Sequence, residues 1–393
     1  MFERYLNNIW RAITYLIAAA FGALLVSLCF LDRLETDGSK QGKLYQLLSI
    51  IDQKFVEDVD RTALEDAAAE AMLKATGDRW SYYIPASEYQ AHIERRDNVY
   101  VGVGITLEQR EDETGLEIVE LAEGGGAEKA GLQVHDVLVG VDGQSCAELG
   151  VSEVTPWIQG EAGSNVVLTV DRNGQELDFT VTRGQIELPV ATYEMLPSGS
   201  GLITIENFEA RAAEETLAAV DALVEQGASS LIFDVRYNPG GFTTELVEIL
   251  DALLPEGPLF RTESSDGQEE VSYSDARCVE LPMAVLVNEH SYSAAEFFAA
   301  AMQEYDAAVI VGAKTSGKGY YQQLFPLVDG SAASISLGKY FTPNGRNLTG
   351  IGVTPDVPVD LDQEVAYYLY LGQLDHEKDN QLQAAVAALK EAA

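Results

Sequence analysis

Apolar residues recur along this chain with several distinct periods. Between 12 and 31 they are nearly continuous, twenty residues without a charge, enough to cross a hydrocarbon core as a helix. From Leu44 the spacing turns helical, through Leu47, Leu48 and Ile51 and then Leu64, Ala67, Ala71 and Met72. This predicts two helices broken near Val59-Asp60, with Thr62 capping the second. From about Asn98 short strands take over, at 100–105, 115–121, 130–138, 166–170 and 177–182. The last two flank Asn173-Gly174, a strong hairpin signal. After Ile186–Val190 strands at 201–205, 231–234, 283–287 and 307–311 interleave with helical patterns at 210–225, 243–253 and 294–305, which predicts βαβ units. Strands at 322–327 and 333–337 and a terminal helix at 381–389 complete the reading.

Charge narrows the partners. With 25 Lys and Arg against 63 Asp and Glu, the net charge of −38 lacks the basic footprint that nucleic acid or anionic lipid requires. Cys29, Cys146 and Cys278 have no Cys-x-x-Cys or Cys/His spacing, so neither a metal nor a disulfide framework is indicated. Arg4 and Arg11 precede the apolar stretch, while Asp32, Glu35 and Asp37 follow it with Arg33. The positive-inside rule then leaves the N-terminus in the cytoplasm and the rest outside. No Ala-x-Ala-like site closes the stretch, which favours an uncleaved anchor over a signal peptide.

The candidate chemistry lies between Leu286 and Gln323. An apolar strand runs into a helix rich in Ala, Phe, Met and Glu, so Ser291 to Ser293 fall on a sharp turn. Such a turn can present a hydroxyl at a helix N-terminus. A Ser before a helix is most often an N-cap, and Ser293 with Glu296 fits a capping box. The wider pattern adds to this. Ser293-Ala294-Ala295-Glu296 after the strand, Gly317-Lys318-Gly319 placed 25 residues on, and Gln322 four further along resemble the C-terminal processing peptidases, or tail-specific proteases. The resemblance runs from Leu44 to about Leu382. It implies Ser293 as nucleophile, Lys318 as general base and Gln322 as the residue orienting that base, with no metal or cofactor. Arg236-Tyr237-Asn238-Pro239-Gly240-Gly241 matches the family's Arg-x-Asn-Pro-Gly-Gly. The N–H groups of Gly240 and Gly241, with that of Ala294 or Ser293, are the expected oxyanion hole.

The strand-rich segment through Gly143 resembles a PDZ domain of the bacterial type. That implies capture of a peptide C-terminus by strand addition, the carboxylate held by Val101, Gly102, Val103 and Gly104. Gln159 stands before Gly160 where family members often carry Arg. Gly77-Asp78-Arg79-Trp80-Ser81 resembles the family's Gly-Asp-Pro-Tyr-Ser segment, and its aromatic residues read as core packing. Motifs at 340–346 and 352–356 resemble the family's closing segments, with Arg346 expected to pair with a carboxylate.

Rival chemistries are weaker. Gly312 to Lys318 fits Gly-x-x-x-x-Gly-Lys, but Gly319 stands where a phosphate-binding loop needs Ser or Thr, and 320–323 do not open a helix. His290 shares one tight turn with Ser293 and can hardly point at that hydroxyl. An inactive PDZ scaffold that only binds tails would not need Ser293, Lys318, Gln322 and the paired glycines together. The expected architecture is mixed α+β, with a crotonase-like protease core. It comprises a cytoplasmic tail and membrane anchor at 1–31, a tether and helical region at 32–97 and a PDZ domain at 98–186. A protease core at 187–362 and a helical tail at 363–393 follow. The expected partners are proteins or peptides with free C-termini and the cell membrane, crossed once with the catalytic part outside. The family's helical region helps it oligomerise, which leaves a homo-oligomer open.

Overall fold

The computed structural model describes residues 42–110, 114–370 and 374–392. The apolar stretch at 12–31 lies outside them. Among the described residues no helix is long and apolar enough to cross a membrane. The chain divides into two compact units, Met1–Ala75 and Thr76–Ala393. In the first, helices span 42–54 and Arg61–Lys74. The cap of the second helix is Asp60, not Thr62. Asp60 has the extended backbone of an N-cap and accepts the Ala63 N–H at 3.2 Å, whereas Thr62 already lies inside the helix.

The second unit begins earlier than the expected boundary at 97. Strand Tyr82–Ile84 pairs with Ala332–Phe341, so 76–96 fold with the later residues. The central sheet runs in the order Ala191–Met195, Ser200–Ile205, Ser230–Asp234, Met283–Val287, Ala308–Gly312 and Val357–Pro358. Its first pair is antiparallel and the rest are parallel. Side-chain alternation splits the core between its two faces. Ile203, Phe233, Val285 and Ile310 pack under helices Ala212–Glu225, Thr243–Leu253 and Ala294–Glu304. Leu202, Ile232, Ala284 and Val311 meet Leu382, Ala385 and Leu389 of the terminal helix Asn380–Ala392. A second sheet joins Tyr82–Ile84, Ala332–Phe341, Gly257–Ser264 and Glu269–Ser274, with Tyr320–Pro326 on Ala332–Phe341.

The segment expected to be PDZ-like forms its own sheet, in the order Ile105–Gln109, Leu116–Leu121, Val137–Val141, Asn165–Arg172 and Gln175–Thr182. Asn173 and Gly174 both hold positive φ and close the hairpin as its sequence predicts. Two expected strands are broken. The one at 100–105 ends at Gly102 and restarts at Ile105, because Gly104 turns the chain at φ 78°. The one at 130–138 begins as a short helix, Gly126–Ala130, stopped by Gly131 at φ 93°. Helix Val151–Ile158 went unpredicted, since β-branched residues and the internal Pro156 mask its period.

The chain passes between this sheet and the core twice, at 97–99 and 187–190. Arg211 spans both crossings, donating to Asp97 O at 2.8 Å, Asn98 O at 3.3 Å and Leu188 O at 2.6 Å. Glu215 accepts from Arg211 at 2.9 Å and from the Val190 and Ala191 N–H groups at 2.7 and 3.1 Å.

Candidate active site

The site forms where neighbouring parallel strands end at their carboxyl edge, the position at which open α/β sheets bind ligands. Ser230–Asp234 leads into the turn at Asn238-Pro239-Gly240-Gly241. Met283–Val287 leads to Ser293, and Ala308–Gly312 leads to the Lys318 loop. Ser293 is buried, with φ 59° and ψ −126°, and opens helix Ala294–Glu304 without a side-chain cap hydrogen bond. The capping reading is therefore only half met. Glu296 accepts the Ser293 N–H at 3.0 Å, and the hydroxyl stays out of the cap.

Glu296 does more than the sequence suggests. Fully buried, it also accepts Thr315 Oγ1 at 2.6 Å, the Gly317 N–H at 2.6 Å and the Lys318 N–H at 2.8 Å. One of its oxygens, Oε2, collects the N–H groups of both Ser293 and Lys318, so the two backbones converge on a single atom. Burial pushes this carboxyl above its usual range while the hydrogen bonds pull against the shift. With its Gly317 and Lys318 N–H groups engaged by Glu296, and strand Tyr320–Pro326 following instead of a helix, the Gly312–Lys318 loop lacks the helix N-terminus on which a phosphate-binding loop relies.

Lys318 is lowered from 10.5 to about 8, foremost by burial, against the opposing pull of Asp78, Glu209 and Glu296. Its aromatic walls come from distant parts of the chain and not from its near neighbour Tyr321. Tyr321 stacks on Tyr340 at 5.4 Å. Lys318 Nζ instead lies 4.9 Å from the Trp80 ring and 5.8 Å from that of Tyr292, and these two rings stack at 6.1 Å. Trp80 is thus a site residue that sequence reading assigned to core packing. Only its place beside Asp78 in a family-like motif hinted otherwise.

Gln322 does not bond Lys318. A bulge between Tyr321 and Gln322 re-aims the amide, which donates to Tyr320 O at 3.0 Å and Ser336 Oγ at 3.2 Å. Gly240 also departs from its expected part. Its N–H is donated to Asn238 Oδ1 at 2.8 Å, so it is not free for an oxyanion. Its contribution is space, since a Cβ there would lie 2.7 Å from Ser293 Cβ and 2.8 Å from the Ala294 nitrogen. The Ser293 N–H is likewise taken, by Glu296. Among the described residues the turn and loop hydrogen bonds leave the N–H groups of Gly241 and Ala294 unused.

Ser291 is structural. It donates to Val235 O at 2.7 Å and accepts the Asn288 N–H at 3.0 Å. His290 stacks on Tyr237 at 5.0 Å with its side chain largely in solvent, which removes it as a rival base. Arg346 pairs with Glu304 at 3.2 Å. Cys146 and Cys278 are both free.

In the PDZ-like segment, Gly102, Val103 and Gly104 line a 270 Å³ groove between strand Ile105–Gln109 and helix Val151–Ile158. Ile105, Leu107, Val151 and Ile158 make it apolar. Val101 lies just outside, paired with Gln185.

A protein with a strained serine and a half-buried lysine at the carboxyl edge of a parallel sheet, beside a PDZ-like groove, belongs to a definable class. Residues 199–359 match Peptidase family S41 and residues 117–172 match a PDZ domain. The carboxy-terminal processing protease CtpA of Bacillus subtilis (strain 168) is 30% identical over 346 residues, covering 87% of this chain and 73% of that protein. A Staphylococcus aureus (strain COL) protein named "Probable CtpA-like serine protease" is 29% identical over 330 residues, covering 83% of this chain. The chain spans 66% of the length of that relative. In fold it is similar to a solved S41-family structure from Bacteroides fragilis NCTC 9343, at TM-score 0.50 and 18% identity, covering 82% of this chain and 90% of the other. The chain belongs to peptidase family S41 and carries a PDZ domain.

Proposed function

We propose that this chain is a serine endopeptidase that cuts proteins near their C-termini, anchored in the cell membrane by 12–31 with its catalytic part outside. Ser293 Oγ attacks the scissile carbonyl. The neutral Lys318 amine takes its proton and hands it to the leaving amine, and water then releases the acyl group by the same relay. The N–H groups of Gly241 and Ala294 hold the oxyanion. Gln322 acts on Lys318 through the strand it steadies. The Gly102–Gly104 segment receives the substrate's free carboxylate in the PDZ groove. The observation that carries the reading is the convergence of the Ser293 and Lys318 backbones on one Glu296 oxygen. Mass spectrometry of a protein pool incubated with the full chain tests it. Wild type is expected to generate new C-termini and Ser293→Ala none; equal cleavage by both, or by neither, removes the proposal, and the latter with retained tail binding leaves a scaffold.

A further inference from the structure

Lys318 sits 238 residues downstream of the ring nearest its amine. That ring is held firmly. The Trp80 backbone N–H is donated to Asp78 Oδ1 at 3.0 Å, and Ser81 Oγ donates to Asp78 Oδ2 at 2.6 Å. Ser81 Oγ in turn accepts the Ser336 N–H at 3.0 Å, tying the turn to the strand that receives Gln322. Next along the chain, Tyr82–Ile84 pairs with that same strand. The Arg79 guanidinium lies 4.3 Å from the Trp80 ring centroid, and Tyr292 stacks on it.

We propose that Trp80 is a positioning residue for Lys318: its indole, held against Tyr292, covers the amine and keeps water from it. The proposal rests on the reading of Lys318 as the general base. Two effects of the ring oppose each other. Its π face attracts an ammonium ion, while its bulk denies that ion hydration. The carboxylates around the amine all favour the ammonium: Asp78 from the N-terminal segment, Glu209 from the loop before Ala212–Glu225, and Glu296 from the nucleophile helix. Each is already answered. Glu209 pairs with Arg96 at 3.1 Å, Glu296 accepts four donors, and Asp78 is capped by Trp80 and Ser81. Burial keeps the Tyr292 phenol protonated, so it adds no charge. Burial outweighs the pull of these carboxylates, and the amine is drawn down to about 8.

The test follows kcat/KM of the full chain from about pH 6 to about pH 10 on a peptide with a free apolar C-terminus. In wild type it is expected to rise through an ionisation at about 8. Trp80→Ala admits water and moves that ionisation at least about one unit toward the free-lysine value of ~10.4, so activity near pH 7 falls about tenfold and recovers at high pH. Trp80→Leu keeps the cover and loses the π attraction, so its ionisation stays at or below that of wild type. Loss by one constant factor at every pH in Trp80→Ala, or an upward shift in Trp80→Leu, overturns the proposal. If Trp80→Ala fails to fold by circular dichroism, Trp80→Leu decides alone. An active Lys318→Ala overturns the base assignment and the proposal together. An inactive Lys318→Ala beside an unmoved Trp80→Ala profile overturns the proposal alone.

Discussion

Ser293 occupies a backbone conformation that a residue with a Cβ adopts only under constraint, at φ 59° and ψ −126°. Its neighbour Ser291 shares the turn and spends its hydroxyl on Val235 O and the Asn288 N–H. The two substitutions to alanine should therefore separate cleanly. Ser293→Ala is expected to abolish turnover with the melting temperature little changed. Ser291→Ala should keep a measurable rate and lose about 1–3 kcal/mol of stability, the cost of leaving buried groups unpaired. Calorimetry beside a peptide assay reads both, and an active Ser293→Ala would move the nucleophile elsewhere. Gly240 gives a subtler test. A methyl there would lie 2.8 Å from the Ala294 nitrogen, in the space an oxyanion needs, at a φ of 86°. Gly240→Ala should cut kcat by about 10²–10³, and a rate within a few-fold of wild type would exclude Ala294 as a donor. Ser293, Lys318 and the paired glycines could be singled out from the sequence because each lies in a local motif. It missed the aromatic cover on Lys318 and the re-aimed Gln322 amide because both depend on cross-strand register, which local spacing does not encode.

At the scale of elements, the site is a set of strand ends tied together by buried charge. Glu296 fastens the Lys318 loop to the nucleophile helix through four hydrogen bonds. Arg236, before the Gly240 turn, is gripped by Asp234 and, at 2.8 Å, by Asp379 at the start of the terminal helix. Removing one partner of such a buried network strands the others. Glu296→Ala is expected to cost about 3–5 kcal/mol and to abolish activity. Glu296→Gln keeps the shape, but its amide nitrogen faces N–H donors, so it should fall between the two. Chemical denaturation orders the three proteins, and a Glu296→Ala as stable as wild type would deny the tether. The parallel strands were legible because fully buried runs such as Met283–Val287 are apolar throughout. Strands Gly257–Ser264 and Glu269–Ser274 were not, since their exposed faces carry charged residues without a clean period of two.

Across the whole second unit, the proposed function asks two sites to cooperate through a narrow connection. The PDZ groove and the nucleophile belong to different sheets, joined by crossings that Arg211 clamps. Asn98 holds positive φ at the first crossing, and both crossings are hydrogen-bonded to the Arg211 side chain, so the join has a defined geometry. If the groove holds a substrate tail as proposed, that tail is presented at a fixed span from Ser293 and its carboxylate becomes part of the recognition. The groove offers that carboxylate the backbone of Gly102, Val103 and Gly104, with apolar walls from Ile105, Leu107 and Val151. Amidating a substrate's C-terminus removes the charge and leaves the walls satisfied. The expected result is a rise in KM, with kcat/KM lower by about tenfold, equivalent to roughly 1.4 kcal/mol. Gly104→Val supplies the control. Its φ of 78° strains any residue with a Cβ, which would meet Ala122 Cβ at 3.0 Å and Ile186 Cδ1 at 3.1 Å. That variant should cleave free-acid and amidated peptides equally, at the rate wild type shows for the amide. If it still prefers the free acid, the carboxylate is read elsewhere. If wild type never distinguishes the two peptides, the groove binds something other than the substrate's end.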